Sequence, residues 1–372
     1  MTNQYFLLNL STTNQMMDTI DQNLFGNRLR LARKMAGLSL QELADAVENR
    51  VTKQALNKYE LGFMKPTSEV LMLVSKCLNQ KPDYFFRKQQ VELGAVLFRK
   101  KSTLNKKDEE AVVEKSRDYV ERCTELENIL GVFQAFKNPL EGLVIKEKKE
   151  VEKAAIKLRL DWNLGESPIP NLTEMLELKG IKVLLLTEVE SIDGLSAMTD
   201  LGVPLVMVNI KDRPTERVRF TIIHELAHLL LKFAEEIADD IVEKLCHYFA
   251  SCFLIPSRKL IEMLGSAKRS YITIRELITI KEYFGISLRA ILHRLSELEV
   301  IIPVYYQKWN VYLSKTFGGI KEPGEYKVEE RSTFFDRLIN RGLAEGMISM
   351  SKAAALSGLS INELRKGLGS VN

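Results

Sequence analysis

The sequence predicts a multidomain protein with an all-α bundle near the N-terminus, an α+β domain holding a small sheet, and a helical C-terminal region. Three observations predict it. At 372 residues the chain exceeds what a single core usually organises. From Phe25 onward, short stretches with helical spacing are separated by turn-like breaks. Further along, three short β-like runs bounded by Gly, Asp and Pro sit among helical segments. The expected divisions are an N-terminal extension (1–24), a helical bundle (25–87), a helical linker (88–145), an α+β domain (146–300) and a helical C-terminal region (301–372).

In the bundle, "FGNRLRLARKMAG", "SLQELADAVEN", "TKQALNKYELG" and "TSEVLMLVSKCLN" are the four helical stretches. Ser39 and Thr52 stand where N-caps belong, and Gly37 and Gly62 suit helix ends. Residues 88–131 are highly charged, with Val112, Val113, Tyr119, Val120, Leu126, Ile129 and Leu130 at helical intervals, the pattern of a long connecting helix. A helix is expected from about Lys146 to Leu160, then a Pro and Gly punctuated turn and a short helix in "LTEMLELKG". The β-like runs are "IKVLLLTE" (181–188), "LSAM" (195–198) and "PLVMVNI" (204–210). Helical spacing returns from Arg217 to about Val300 and again over 331–370.

Composition excludes several classes. Hydrophobic content of 45% with 27% charged residues is ordinary for a globular chain, and no apolar run approaches the roughly 20 residues of a membrane span. No basic region and small-residue cleavage site frame "YFLLNL" as a secretory signal, so a cytoplasmic protein without membrane partners is expected. The four cysteines show no C-x-x-C spacing and read as reduced thiols. The net charge of +4 is unevenly placed: between Phe25 and Arg87 there are 11 Lys plus Arg against 6 Asp plus Glu. That local excess points to a polyanion partner for the first bundle alone.

The most informative stretch is "RFTIIHELAHLLL" (219–231). His224 and His228 are four residues apart, so at 3.6 residues per turn both imidazoles lie on one helix face and can reach one cation. Glu225, next to the first histidine, is placed to take a proton from a metal-bound water. A helix this apolar carrying three ionisable groups is costly to bury unless something compensates them. A catalytic zinc needs a third protein ligand and an open position. Glu243, in "DDIVEKLCHYFASCFLIP", is the best candidate; Asp239 and Asp240 also qualify by position but read as helix N-terminal carboxylates. The set would be His2Glu, holding one zinc ion per chain, although manganese and iron also suit such ligands.

The succession "ERVRFTIIHELAHLLL" and "EKLCHYFASCFLIP" resembles the ImmA/IrrE family of zinc metallopeptidases. "DWNLGESPIPNLTEMLELKGIKV", "DGLSAM", "VMVN" and "FGISLRAILHRLSEL" are similar to the same family, so the likeness spans about residues 146–300. It implies a zincin-like fold, with His224, His228 and Glu243 as metal ligands and Glu225 catalytic. Where that family usually has Ala then Asn or Asp, this chain has Cys246 and His247. Three roles stay open for His247: supporting a metal-bound imidazole from the second shell, acting as a ligand or oxyanion donor, or packing. Cys246 reads as a small buried residue.

"SLQELADAVENRVTKQALNKYELGFMKPT" resembles the helix-turn-helix of the XRE, or lambda-repressor-like, family over roughly Phe25–Arg87. Leu40, Leu43, Ala44, Val47, Ala55, Leu56 and Tyr59 are expected to face the core, leaving Lys53, Gln54, Asn57 and Lys58 outward. Gln and Asn pair well with adenine, and Lys favours guanine or phosphate. Gln41 and Thr52, at the starts of the two helices, complete the expected contacts to a double-stranded operator. The basic run "FRKKSTLNKK" (98–107) has two readings, an extension of the phosphate contact and a solvated charge run, of which the second is favoured. The resemblance implies a transcription regulator, dimeric on paired half-sites. Its second domain either cleaves a repressor or toxin-linked partner protein, or serves as the sensor or scaffold of a non-proteolytic regulator or antitoxin.

Overall fold

A computed structural model describes residues 24–88, 91–100, 105–188, 192–265, 268–318, 322–367 and 369, the side chains of 95–100 excepted. The expected N-terminal extension therefore falls almost wholly outside the described residues. Two compact units emerge: one from the described parts of Met1–Glu92, Thr103–Phe133 and Phe335–Asn372, the other from Leu93–Ser102 and Gln134–Phe334. Among the described residues, no helix is long and apolar enough to cross a membrane.

The first unit begins with helix α1 (24–35), followed by α2 (Leu40–Ala46), α3 (Lys53–Glu60), α4 (Ser68–Cys77) and a 3-10 turn at Pro82–Phe86. Caps set the starts. Ser39 accepts from the Glu42 amide while the Glu42 carboxylate accepts from Ser39, a capping box; the Lys107 ammonium and then these Ser39 bonds hold the Glu42 carboxyl down at about 2. Thr52 and Thr67 cap α3 and α4. The core gathers Phe25, Leu29, Leu43, Ala44, Val47, Leu56, Tyr59 and Phe85, with Leu40 and Ala55 packed at its margin. α1 approaches the end of α3 so closely that a Cβ on Gly26 would sit 2.5 Å from the Tyr59 carbonyl oxygen. Only glycine fits there.

Helix α5 (Lys106–Ile129) packs in this same unit. Arg28 of α1, buried, donates to Glu121 of α5 at 2.7 Å and to the carbonyls of Arg87 and Lys88. The C-terminal helices α14 (Phe334–Ala344), α15 (Met350–Ser357) and α16 (Ile361–Gly367) complete the unit's described elements. Arg122 donates to the Leu356 carbonyl, and Lys352 pairs with Glu125. The tail thus returns to the helical bundle.

The second unit is mixed α+β. Its strands are β1 (Leu93–Lys100), β3 (Lys182–Leu186), β4 (Ile192–Thr199) and β5 (Pro204–Asn209), in the order β1-β4-β5-β3, with a two-stranded parallel pair from β2 (Val144–Ile145) and β6 (Lys232–Phe233). β3 and β5 are parallel; β4 runs antiparallel to both of its neighbours. β5 is buried along its whole length, which explains its unbroken apolar run. The helices of this unit are α6 (Lys148–Asp161), α7 (Leu172–Leu178), α8 (Thr215–Leu230), α9 (Asp239–Leu254), α10 (Ser257–Leu264), α11 (Ile274–Phe284), α12 (Leu288–Glu297) and α13 (Pro303–Phe317). α8 packs on β4 and β5, and α9 packs on α8 and α6.

Two features differ from the sequence expectation. The segment read as a helical linker opens with a strand of the sheet before α5 begins, and part of the basic run 98–107 lies in it; residues 101–104 of that run lie outside the described residues. The pair β2–β6 was not anticipated, because two-residue strands leave no periodic signal.

Arg219, in the first half of α8, anchors that helix to the residues around it. It is 1% exposed and donates to the carbonyls of Ile169, Pro170, Phe284 and Gly285 and to the Glu330 carboxylate, with its guanidinium over the Tyr326 ring. Arg28 plays the corresponding part in the first unit. Replacing Arg28 with Met removes the cation from a buried carboxylate, and the expected loss is about 3–5 kcal/mol. Urea denaturation of the full chain measures it; a loss below about 1 kcal/mol would show that the Arg28–Glu121 pair does not hold α5 in place.

Candidate functional site

The site is built on α8, whose residues 222–227 are all buried. Its apolar majority fixes the helix between the sheet and α9, and the polar exceptions are His224, Glu225 and, at the rim, His228. The sharp turn through β6 brings α9 back alongside, so that Glu243 reaches the histidine face. His228 Nε2 lies 3.1 Å from Glu243 Oε1, His224 Nε2 lies 3.3 Å from Glu243 Oε2, and the two Nε2 atoms are 3.2 Å apart. His224 is wholly buried, His228 nearly so, and Glu243 about half exposed. The histidines' contacts hold the Glu243 carboxyl well below the usual carboxylate range.

These separations test whether the residues suit a metal. Four-coordinate zinc with ligand bonds of 2.0–2.1 Å and tetrahedral angles places its donors about 3.4 Å apart. The observed 3.1–3.3 Å matches that spacing with His2Glu donor chemistry. Among the described residues, these three form the grouping of His, Cys, Asp and Glu donors able to share an ion. Asp240 instead pairs with Lys244, and it shares the first turn of α9 with Asp239.

Around the three donors stand residues of differing visibility in the sequence. Glu225 is fully buried, and the Ser196 hydroxyl of β4 donates to its Oε2 at 3.1 Å. A Cβ on Gly194, also in β4, would lie 2.9 Å from Glu225 Oε1 and 3.0 Å from Thr221, so the missing side chain makes room for the carboxylate. Neither Gly194 nor Ser196 was singled out as a site residue; both lie within "DGLSAM", the motif that carried part of the resemblance. His247 lies against His224 with ring centroids 4.4 Å apart and stacks on Phe220 at 5.7 Å. The atom within reach of His228 Nδ1 is Cys246 Sγ, at 3.6 Å. Burial pushes the Cys246 thiol up, helped by the charges of Glu243 and Glu225, so it stays protonated. While Nε2 donates to Glu243, Nδ1 accepts from the thiol; with a cation at Nε2 instead, the ring carries its hydrogen on Nδ1 and donates to sulfur. A cavity of about 520 Å³ adjoins the site, lined on its apolar side by Phe220, Leu245, Tyr248 and Ala290 and touching His247.

In the first unit, Gln41, Thr52, Lys53, Gln54, Asn57 and Lys58 are all exposed. Lys53, Gln54, Asn57 and Lys58 share the outer side of α3, opposite buried Leu56 and Tyr59. Thr52 also accepts from the Ala55 amide as N-cap, and the Gln41 amide donates to Asp45 at 3.0 Å. Arg33 grips Glu60 at the end of α3 with two bonds of 2.6 and 2.8 Å, fixing the helix on the bundle.

Fold and site together define a class: a helical bundle in one chain with an α+β unit that brings two histidines and a glutamate together. Comparison with known families makes this specific. Residues 29–85 match the helix-turn-helix family model, and residues 176–296 match the IrrE N-terminal-like domain. The chain therefore joins an XRE-type helix-turn-helix to an IrrE/ImmA-like domain of the metallopeptidase family. No curated protein matches it.

The Cys246 contact generates a measurable expectation. Cys246→Ala should weaken zinc binding on the order of tenfold by freeing the His228 ring, as loss of a ligand's hydrogen-bond partner typically does. Competition against a chromophoric chelator reads it, and unchanged affinity would show that Sγ does not orient His228.

Proposed function

We propose that the protein is a sequence-specific DNA-binding transcription regulator whose second domain is a zinc-dependent endopeptidase acting on a partner protein. The observation that carries this reading is the meeting of His224, His228 and Glu243 at 3.1–3.3 Å beside a fully buried Glu225. His224, His228 and Glu243 hold the ion. Zinc, when bound, lowers the pKa of a coordinated water to about 7 and polarises the substrate carbonyl. Glu225 takes the proton from the attacking water and passes it to the leaving amine nitrogen as the C–N bond breaks. Ser196 fixes the plane of that carboxylate through Oε2, and Gly194 leaves the space it needs. His247 supports the His224 ring by packing, and Cys246 holds His228 by Nδ1.

For the DNA-binding half, α3 enters the major groove with Gln54 and Asn57 reading base edges. Lys53 and Lys58 contact guanine or phosphate, while Gln41 and Thr52 clamp the backbone at the helix starts. Two copies on paired half-sites make a cytoplasmic homodimer the working form. The rival reading, a non-proteolytic XRE-type regulator or antitoxin with a sensor or scaffold domain, draws on the Cys246 and His247 replacements.

Zinc-loaded wild type is expected to cleave members of a proteome-derived peptide library, and Glu225→Gln to lose at least a hundredfold in rate with metal content unchanged, in keeping with general-base catalysis. No cleavage by wild type, with operator control intact in Glu225→Gln, would leave the regulator without an enzyme. For DNA, duplexes selected from a random pool should bind with affinity falling steeply in salt. Asn57→Ala should cost about 1–3 kcal/mol and relax preference at one base pair, whereas Lys58→Ala should weaken all sequences alike. Equal binding of selected and random duplexes would contradict base reading by α3.

A further inference from the structure

The sheet beside Glu225 has an unusual composition in chain terms. Three of its strands, β3, β4 and β5, fall within the residues that match the IrrE N-terminal-like domain, whereas β1, next to β4 at one edge, comes from Leu93–Lys100, far outside that match. The residues before and after β1 in sequence belong to the other compact unit. β4 is the strand that seats Glu225 through Gly194 and Ser196, and those two residues stand opposite Arg99 and Leu97 of β1. Without β1, the outer backbone edge of β4 would present unpaired N–H and C=O groups, the template on which an extended peptide adds as a new strand.

β1 is also the least regularly paired strand of this sheet. Its pairing with β4 is in simple register only from Val96↔Ala197 to Arg99↔Gly194, with irregularities between Leu93 and Val96 and between Arg99 and Lys100. The pairs β3–β5 and β4–β5 each run through five residues without a shift. At its start, Gly94 sits so close that a Cβ would meet the Met198 carbonyl oxygen at 2.9 Å. Its four residue pairs in unbroken register are the shortest uninterrupted ladder of the sheet.

We propose that the outer edge of β4 is a docking edge for a peptide in extended conformation, and that the chain's own Leu93–Lys100 strand is its intramolecular occupant, displaced when such a peptide binds. The choice of an extended peptide as partner rests on the reading of Glu225 as the base that serves peptide hydrolysis. The tethered strand competes at an effective concentration on the order of millimolar, so a free peptide binds weakly until the strand is released.

The test uses the full chain and a fluorescein-labelled peptide with the sequence of residues 93–100 as probe. Adjacent residues of a strand point their N–H groups alternately toward and away from the neighbour, so Leu97→Pro with Phe98→Pro removes one inward donor whichever it is. This double variant is expected to bind the probe at least tenfold more tightly than wild type, with slowed amide exchange in β4 when the probe is present. A second pair, Val96→Cys with Ala197→Cys at facing positions, locks β1 when oxidised. The oxidised form should bind no probe, and reduction should restore the wild-type level. Equal binding by wild type, proline variant and oxidised pair, or protection that falls outside β4, would overturn the proposal. Should the proline variant not fold, the oxidised and reduced forms decide alone, and equal binding by the two overturns it. Cleavage of the peptide library by the same zinc-loaded forms separates the two readings. Probe binding that follows the lock with no cleavage in any form keeps the docking edge and removes the peptidase; cleavage undiminished by the lock removes the docking edge and keeps the peptidase.

Discussion

The second unit depends on a helix that buries charge-bearing groups in an apolar setting. His224 and Glu225 are fully buried among Ile222, Ile223, Leu226 and Ala227. An ionised group in such surroundings costs several kcal/mol unless it is paired or coordinates a metal. Two partners meet that cost: Glu243 from α9 for the imidazoles and the Ser196 hydroxyl from β4 for Glu225. The apolar residues of α8 set it between sheet and α9, where these partners lie within reach, and Arg219 fixes the helix by holding four carbonyls and a carboxylate at once.

The first unit solves a different problem. Its short helices present little apolar area each, so capping and buried ion pairs set their geometry. Ser39, Thr52 and Thr67 fix the starts of three helices; Arg28 and Arg33 join helices that are distant in sequence. The outer side of α3 is left polar and exposed, the condition a major-groove contact needs.

Legibility in the sequence followed the range of the interactions. The i and i+4 spacing of His224 and His228 is local, and so were the caps at Ser39 and Thr52; these were readable directly. Glu243 was reached through helix spacing and family likeness, because its approach depends on how α9 folds back. The contact of Cys246 with His228 was hidden, since a thiol 18 positions along the chain carries no pattern that points to an imidazole. β1 was the largest omission. Its "LGAVLFRK" abuts a basic run and a long amphipathic helix, and its partner lies about a hundred residues downstream, so nothing local distinguished an edge strand from the start of a linker. Gly194 was visible only as part of a motif; its role is a space, and a space appears only when the helix beside it is in place.

The arrangement places a proposed hydrolytic centre and a helix-turn-helix in one chain, with one strand of the second unit's sheet drawn from between the elements of the first. The hydrolysis proposed for the second domain rests on one ion shared by two imidazoles and a carboxylate. X-ray absorption at the zinc edge of the loaded full-length protein tests this most directly. The account expects imidazole nitrogen and carboxylate oxygen at about 2.0–2.1 Å and no sulfur. A zinc–sulfur distance of about 2.3 Å, or a shell without imidazole scattering, would contradict it.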